Sequence, residues 1–101
     1  MPVTTSFENG ILRATLSGDI DHHTAKVMRQ KIDMAIESAL PRKLIIDFKE
    51  ISFMDSSGIG LVMGRYKLMK SINGETEVIN TSSYIRKIMK LAGLELLSII
   101  K

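Results

Sequence analysis

The sequence contains no cysteine and no tryptophan, and only two prolines, two tyrosines and three phenylalanines. The missing cysteine removes disulfide frameworks, thiolate zinc sites and cysteine nucleophiles together, and it fits a reducing compartment. Aromatic residues at 5% offer bases little to stack on, and the surplus of 14 basic over 11 acidic side chains leaves a net charge of only +3. Nucleic acid is therefore not an expected partner. No apolar run approaches the roughly 20 residues that cross a bilayer, and no basic-then-apolar leader is visible. We expect a cytoplasmic protein with no membrane partner. Internal repeats, low-complexity tracts, a Gly-x-x-x-x-Gly-Lys-Ser/Thr phosphate loop and a Gly-x-Ser-x-Gly nucleophile elbow are also absent from the sequence.

What is present is the composition of a folded domain. Hydrophobic residues make up 45% and charged residues 25% of 101 positions, so one domain over residues 1–101 is expected. Residues 3–7 and 11–16 read as strands around Asn9-Gly10, whose positive φ preference suits a tight antiparallel hairpin. Leu12, Ala14 and Leu16 share one face of the second strand and Arg13 and Thr15 the other, a sign of one wet face near a sheet edge. Residues 24–40 carry Ala25, Met28, Ile32, Ala35, Ile36 and Ala39 at helical spacing, with Lys26, Arg29, Gln30, Asp33 and Glu37 outside, Asp21 as N-cap and Pro41 as stop. The continuous run Leu44-Ile45-Ile46 within residues 43–48 reads as a strand buried on both faces. A second helix is expected from Ser56 or Ser57 to about residue 73 with Gly74 as its left-handed cap, then a strand over 76–79. A third helix over 82–92 turns Ile85, Ile88, Met89 and Ala92 inward and ends at Gly93, and residues 96–100 read as a fifth strand. The order ββαβαβαβ predicts an α/β fold, an open mixed sheet with an antiparallel hairpin at its start and parallel strands after it. Sites in such sheets gather beyond the carboxyl ends of the strands, where two polar loops are expected, residues 18–24 and 52–58.

The second of these loops is the more informative. Ser56 and Ser57 sit where a strand runs into a helix, a place where serine ordinarily caps free amides. Gly58 and Gly60 each weaken the first turn by about 1 kcal/mol relative to alanine, which points to a close backbone approach. Ile59 and Leu61 cannot both point inward at their spacing, so one faces outward near the serines, and Asp55 places a carboxylate beside them. A helix N-terminus accommodates phosphate, and a phosphoserine there would bring about −1.5 to −2 charge to a docking surface.

Other chemistries compete for these residues. A metal would need three or four converging ligands, and the adjacent His22 and His23 diverge. A small hydrolase would recruit Asp21, His22 and Ser56, and a phosphoacceptor aspartate would be Asp47 or Asp55 beside Asp19 and Asp21. Arg65 and Lys67 read as solvated face, Tyr66 as core, and Met54, Met63 and Met69 as gap-filling core. Arg86, Lys87 and Lys90 read as a solvated basic face of the third helix.

Phe53-Met54-Asp55-Ser56-Ser57-Gly58-Ile59-Gly60 resembles the signature of the anti-sigma factor antagonists, bacterial STAS-domain proteins, and Gly18-Asp19-Ile20-Asp21-His22-His23-Thr24-Ala25 resembles their second signature. The Asp-His-His-Thr form, with Gly64-Arg65-Tyr66-Lys67, is most similar to the sporulation branch, and the general stress-response branch comes next. Leu91-Ala92-Gly93-Leu94 matches the family's late helix end. The resemblance spans about residues 3–101 and implies a STAS-type sheet of about five strands. It implies a regulatory binding protein with no catalytic residues, cofactor or metal, whose unmodified form binds an ATP- or ADP-bound anti-sigma factor serine kinase and frees a sigma factor for sporulation transcription. The kinase would phosphorylate Ser56, with Ser57 as the fallback, and a PP2C-type serine phosphatase would reverse it. Asp21, His22, Asp55, Ser57, Gly58, Ile59 and Leu61 would meet the partner. Members usually continue into one more short helix, so exposed apolar surface is expected near residues 96–100.

Overall fold

Asn9 and Gly10 both take positive φ, 54° and 79°. That is the backbone of a two-residue hairpin whose twist matches its strands. It joins β1 (Val3–Glu8) to β2 (Ile11–Ile20), which pair antiparallel from Val3↔Leu16 to Glu8↔Ile11. The remaining elements of the computed structural model, which describes residues 2–101, are α1 (His22–Ala39), β3 (Lys43–Met54), α2 (Ser57–Ser71), β4 (Glu75–Ile79) and α3 (Ser83–Leu91). β2 pairs parallel with β3 and β3 with β4, so the sheet order is β1-β2-β3-β4.

The sheet buries one face with apolar side chains and leaves the other partly covered, with Asp47 as its buried residue on β3. Leu12, Ala14 and Leu16 of β2 and Leu44, Ile46 and Phe48 of β3 are buried, whereas Arg13, Thr15 and Ile45 between them are half-buried. The Leu44-Ile45-Ile46 run is thus covered on one side, not on both as its continuity suggested. Met28, Ile32 and Ile36 of α1 and Leu61, Val62 and Met69 of α2 fill the covered side. Each fully buried aliphatic of this size contributes about 1.5–3 kcal/mol.

The helix ends follow local chemistry with two corrections. α1 starts at an Asp21–Thr24 capping box and stops at Leu40, in the left-handed region just before Pro41. After α2 the left-handed residue is Asn73, with φ 61°, and not Gly74. Ser82 caps α3 through Ile85 N–H, and Gly93 ends it with φ 86°, but Ala92 is exposed and does not join Ile85 and Met89 inside.

The expected fifth strand does not form. Residues Leu94–Leu97 make a 3-10 helix, Ser98 turns left-handed, and only a single parallel bridge joins Val78 to Ile100. Leu94 and Ile99 go inside while Leu96 is 88% exposed, a spacing no strand alternation produces. Apolar surface is thus open at Leu96, and Leu91 at the end of α3 adds more at 81% exposure.

Arg65 is not on a solvated face. It is 6% exposed, and its Nε lies 2.8 Å from Asp33 Oδ1, so it bridges α2 to α1. The N–H bonds are not aimed along that contact: among the described residues Arg65 Nε and Nη1 and Asp33 Oδ1 make no aligned hydrogen bond. The pair is held by charge more than by hydrogen-bond geometry.

Candidate functional site

The two polar segments are divided between strand ends and helix starts: residues 18–20 and 52–54 belong to β2 and β3, and residues 22–24 and 57–58 to α1 and α2. β2 and β3 are 10 and 12 residues long, and both run further than their apolar cores indicated. β4 pairs only with β3 residues 43–47, so beyond Asp47 β3 has β2 alone as its partner. Two irregularities, between Thr15 and Ser17 and between Gly18 and Asp19, bend this ribbon, and its pairing ends at Ile20↔Met54. Asp55 N–H then donates to the Ile20 carbonyl at 3.0 Å. The next residues, Asp21 and Ser56, precede the first turns of α1 and α2. Parallel pairing thus brings the two sequence segments side by side and turns two helix N-termini toward one surface.

The two termini are capped differently. Asp21 accepts from the His23 and Thr24 amides at 2.9 Å each, and Thr24 Oγ1 accepts from Asp21 N–H at 2.9 Å and donates to the Asp19 carbonyl at 2.8 Å. The Thr24 amide, with the His23 amide, the Thr24 hydroxyl and the His23 ring behind it, outweighs partial burial and holds the Asp21 carboxyl below its ordinary range. At α2 the expected serine cap is not made. Ser56 has helical φ and ψ of −62° and −16° and no side-chain cap bond. Asp55 does the capping instead, accepting from Ser57 N–H at 2.7 Å. Ser56 is exposed, and its hydroxyl has no hydrogen bond within the described residues.

Gly58 is buried against Met54, and a Cβ there would collide with the Met54 side chain. The close approach read from this glycine is therefore to the fold's own core. Gly60 has open space around its Cα. Leu61 is 3% exposed and belongs to the core, and Ile59 is the half-buried member of the pair. Gly58 and Leu61 thus shape the surface from beneath and offer it little side-chain area. Sequence reasoning missed Tyr84, which comes from α3 at 51% exposure and donates from Oη to the Met54 carbonyl at 3.3 Å. With Phe53 at 44% it adds exposed aromatic surface at the carboxyl end of β3. No sequence signal placed α3 there, because the contact spans 30 positions.

Between the first turns of the two helices lies a groove of about 480 Å³. His22, Ala25, Lys26 and Arg29 of α1 line one wall, and Ser57, Gly60 and Leu61 of α2 the other. Lys26 and Arg29 are exposed, as expected of the outer face of their helix, and their spacing of four and seven from His22 sets all three along one wall of the groove.

The competing chemistries are not assembled. The rings of His22 and His23 stand 5.9 Å apart at 64°, and among the described residues neither bonds to Ser56 or Ser57. No three His, Asp or Glu side chains of the described residues converge as metal ligands would. Asp47 is fully buried, and both its oxygens are engaged: Oδ2 by Arg13 at 2.8 Å, Oδ1 by Lys49 N–H at 2.9 Å and Asn80 Nδ2 at 3.0 Å. Burial pushes this carboxyl up, and Asn80, Lys49 and Arg13 more than reverse it, so its pKa lies below the ordinary value. Asp47 is a structural anchor with no oxygen free to accept a phosphoryl group. No helix of the described residues is long and apolar enough to cross a membrane.

The STAS domain profile matches residues 3–100. An anti-sigma F factor antagonist of Paenibacillus polymyxa is 33% identical over 94 residues, 93% of this chain and 80% of that protein. An anti-sigma-B factor antagonist of Bacillus subtilis is 30% identical over 88 residues, 87% and 78% of the two chains. Among solved structures, the unphosphorylated form of the anti-sigma factor antagonist SpoIIAA superposes with a TM-score of 0.85 at 32% identity, covering 98% of this chain and 85% of that one. The phosphorylated form of SpoIIAA, a Bacillus cell fate determinant, superposes with a TM-score of 0.78 at 32% identity, covering 98% and 88%.

Proposed function

This chain belongs to the STAS domain family, among its anti-sigma factor antagonists, and on that premise we propose that it is a phosphorylation-controlled switch of sporulation transcription. The unmodified protein binds an anti-sigma factor that is also a serine kinase, in its ATP- or ADP-bound state, and so releases a sigma factor. Phosphorylation of Ser56 by that kinase ends the interaction, and a PP2C-type serine phosphatase restores it. Ser57 is the fallback acceptor. The chain itself carries out no catalysis in this scheme, and the kinase supplies the nucleotide.

The observation that carries this reading is the Ser56 hydroxyl, exposed at the start of α2 while Asp55 takes over the cap. Asp55 leaves that oxygen free for transfer and keeps the helix start intact whether or not Ser56 is modified. The positive end of α2 tolerates the phosphate that follows. The new charge then changes the surface formed by Asp21, His22, Asp55, Ser57 and Ile59. Similarity to a protein solved in both unphosphorylated and phosphorylated forms supports the same scheme.

The test is to incubate the protein with the purified anti-sigma F factor of Paenibacillus polymyxa and ATP, then map the product by mass spectrometry. One phosphate on Ser56 is expected, and none on Ser56→Ala. Phosphate on another residue of the wild type, or unimpaired labelling of Ser56→Ala, overturns the assignment of Ser56.

A further inference from the structure

Two cations line the α1/α2 groove, and a third, paired with a carboxylate, is buried close to one of them. Lys26 and Arg29 are exposed along the wall that α1 contributes, in line with His22. Behind that wall the buried Arg65 has Asp33 as its counterion, feels the charge of Arg29, and has a Nη1 that bonds to nothing among the described residues. No acidic side chain lines the groove. The nearby carboxylates of Asp21 and Asp55 each accept helix amides through Oδ1 and lie outside the lining. The floor is apolar, from Ala25 and Leu61, and the volume of about 480 Å³ is that of a ligand-sized cleft. Ser57, next to Ser56, forms the opposite wall.

We propose that this groove receives an acidic segment of the anti-sigma factor, held by Lys26 and Arg29, and that a phosphate on Ser56 expels that segment by occupying the same positive field. This rests on the function proposed above and adds which surface is read and how the modification acts on it. Complementary charge of this kind governs association rate and its salt dependence.

The experiment compares wild type, Lys26→Glu/Arg29→Glu and the charge-preserving Lys26→Arg/Arg29→Lys, each with an unchanged melting curve. Association with the ADP-bound anti-sigma F factor of Paenibacillus polymyxa is followed by stopped flow across salt concentrations. The charge-reversed variant is expected to associate about tenfold more slowly or worse near physiological salt and to lose most of its salt dependence. The charge-preserving variant stays close to wild type. In a second arm a fluorescent hexaglutamate peptide is titrated at low salt into the unmodified protein and into protein phosphorylated on Ser56. It should bind the first and not the second or the charge-reversed variant. Unchanged association by the charge-reversed variant overturns the proposal, as does hexaglutamate binding that ignores charge reversal or is absent from wild type. ATP or inorganic phosphate displacing the peptide stoichiometrically also overturns it, in favour of a small-anion site. If wild type fails to bind the factor at all, the functional reading falls, and the peptide arm still decides the groove.

Discussion

Replacing Asp33 by alanine strands a guanidinium. Arg65 is 92% withdrawn from water by its side chain, whose relative exposure is 8% against 30% for Asp33. Burial weakens the hold of Arg65 on its proton, the Asp33 carboxylate strengthens it, and Arg29 opposes it again, yet an arginine stays charged. Removing one partner of a buried pair costs about 3–5 kcal/mol because the other charge is left uncompensated. The misaligned N–H geometry puts this pair at the low end, about 3 kcal/mol. Alanine returns about 0.6 kcal/mol as the better helix former in the middle of α1, leaving about 2.4 kcal/mol. Unfolding entropy of about 2.1 cal/mol/K per residue gives about 0.21 kcal/mol/K for 101 residues, so the melting temperature should fall by about 11 °C. The reverse substitution, Arg65→Met, should cost about 1 kcal/mol, because the remaining carboxylate reaches water. The double variant should come back to within about 1 kcal/mol of wild type. Urea and thermal melts of all four proteins form the cycle. A loss below about 1 kcal/mol in Asp33→Ala, or a larger loss in Arg65→Met than in Asp33→Ala, would refute the account of a buried cation held mainly by one carboxylate.

Three further outcomes follow from the same fold. Gly58→Ala drives a methyl into the Met54 side chain and should destabilise by about 1–3 kcal/mol, whereas Gly60→Ala meets open space and should stabilise by up to about 1 kcal/mol; equal melting shifts would contradict the contact. Asp47 has a folded-state pKa below its ordinary value, so its stabilisation is complete above the unfolded value of about 3.9 and is lost as pH falls through the folded one. Asp47→Asn should therefore flatten the acid limb of a stability-versus-pH curve, and an unaltered limb would show that the Arg13–Asn80 anchor is not what titrates. Ser56→Asp should weaken binding to the ADP-bound anti-sigma F factor by about tenfold or more, about 1.4 kcal/mol, and equal affinity by calorimetry would argue against a charge mechanism.

Local signals in this chain are strong where neighbours in sequence satisfy one another. The Asn9-Gly10 turn, the Asp21 cap and the inward row Met28, Ile32 and Ile36 were all readable because each needs only its own few residues. The strand lengths were not. Lys49, Glu50 and Ser52 look like loop, but they extend β3 because only β2 runs beside them there, leaving them open to solvent. The last segment misled for the opposite reason: Leu96 and Ile100 have strand-forming neighbours, but the sheet takes up only a bridge at Ile100.

By itself the sequence determined the alternation of strands and helices, the two polar segments that begin helices, and the presence of Asp55, Ser56 and Gly58 at one of them, since turn chemistry, periodicity and motif are properties of neighbouring residues. Only the tertiary structure decided that Asp55 and not serine caps α2, that Arg65 is buried, that Tyr84 reaches the end of β3, that the α1 cations face Ser57 across a groove, and that Asp47 is an anchor. Those outcomes depend on which groups lose water and which partner reaches them first, and parallel strand pairing between distant segments settles both.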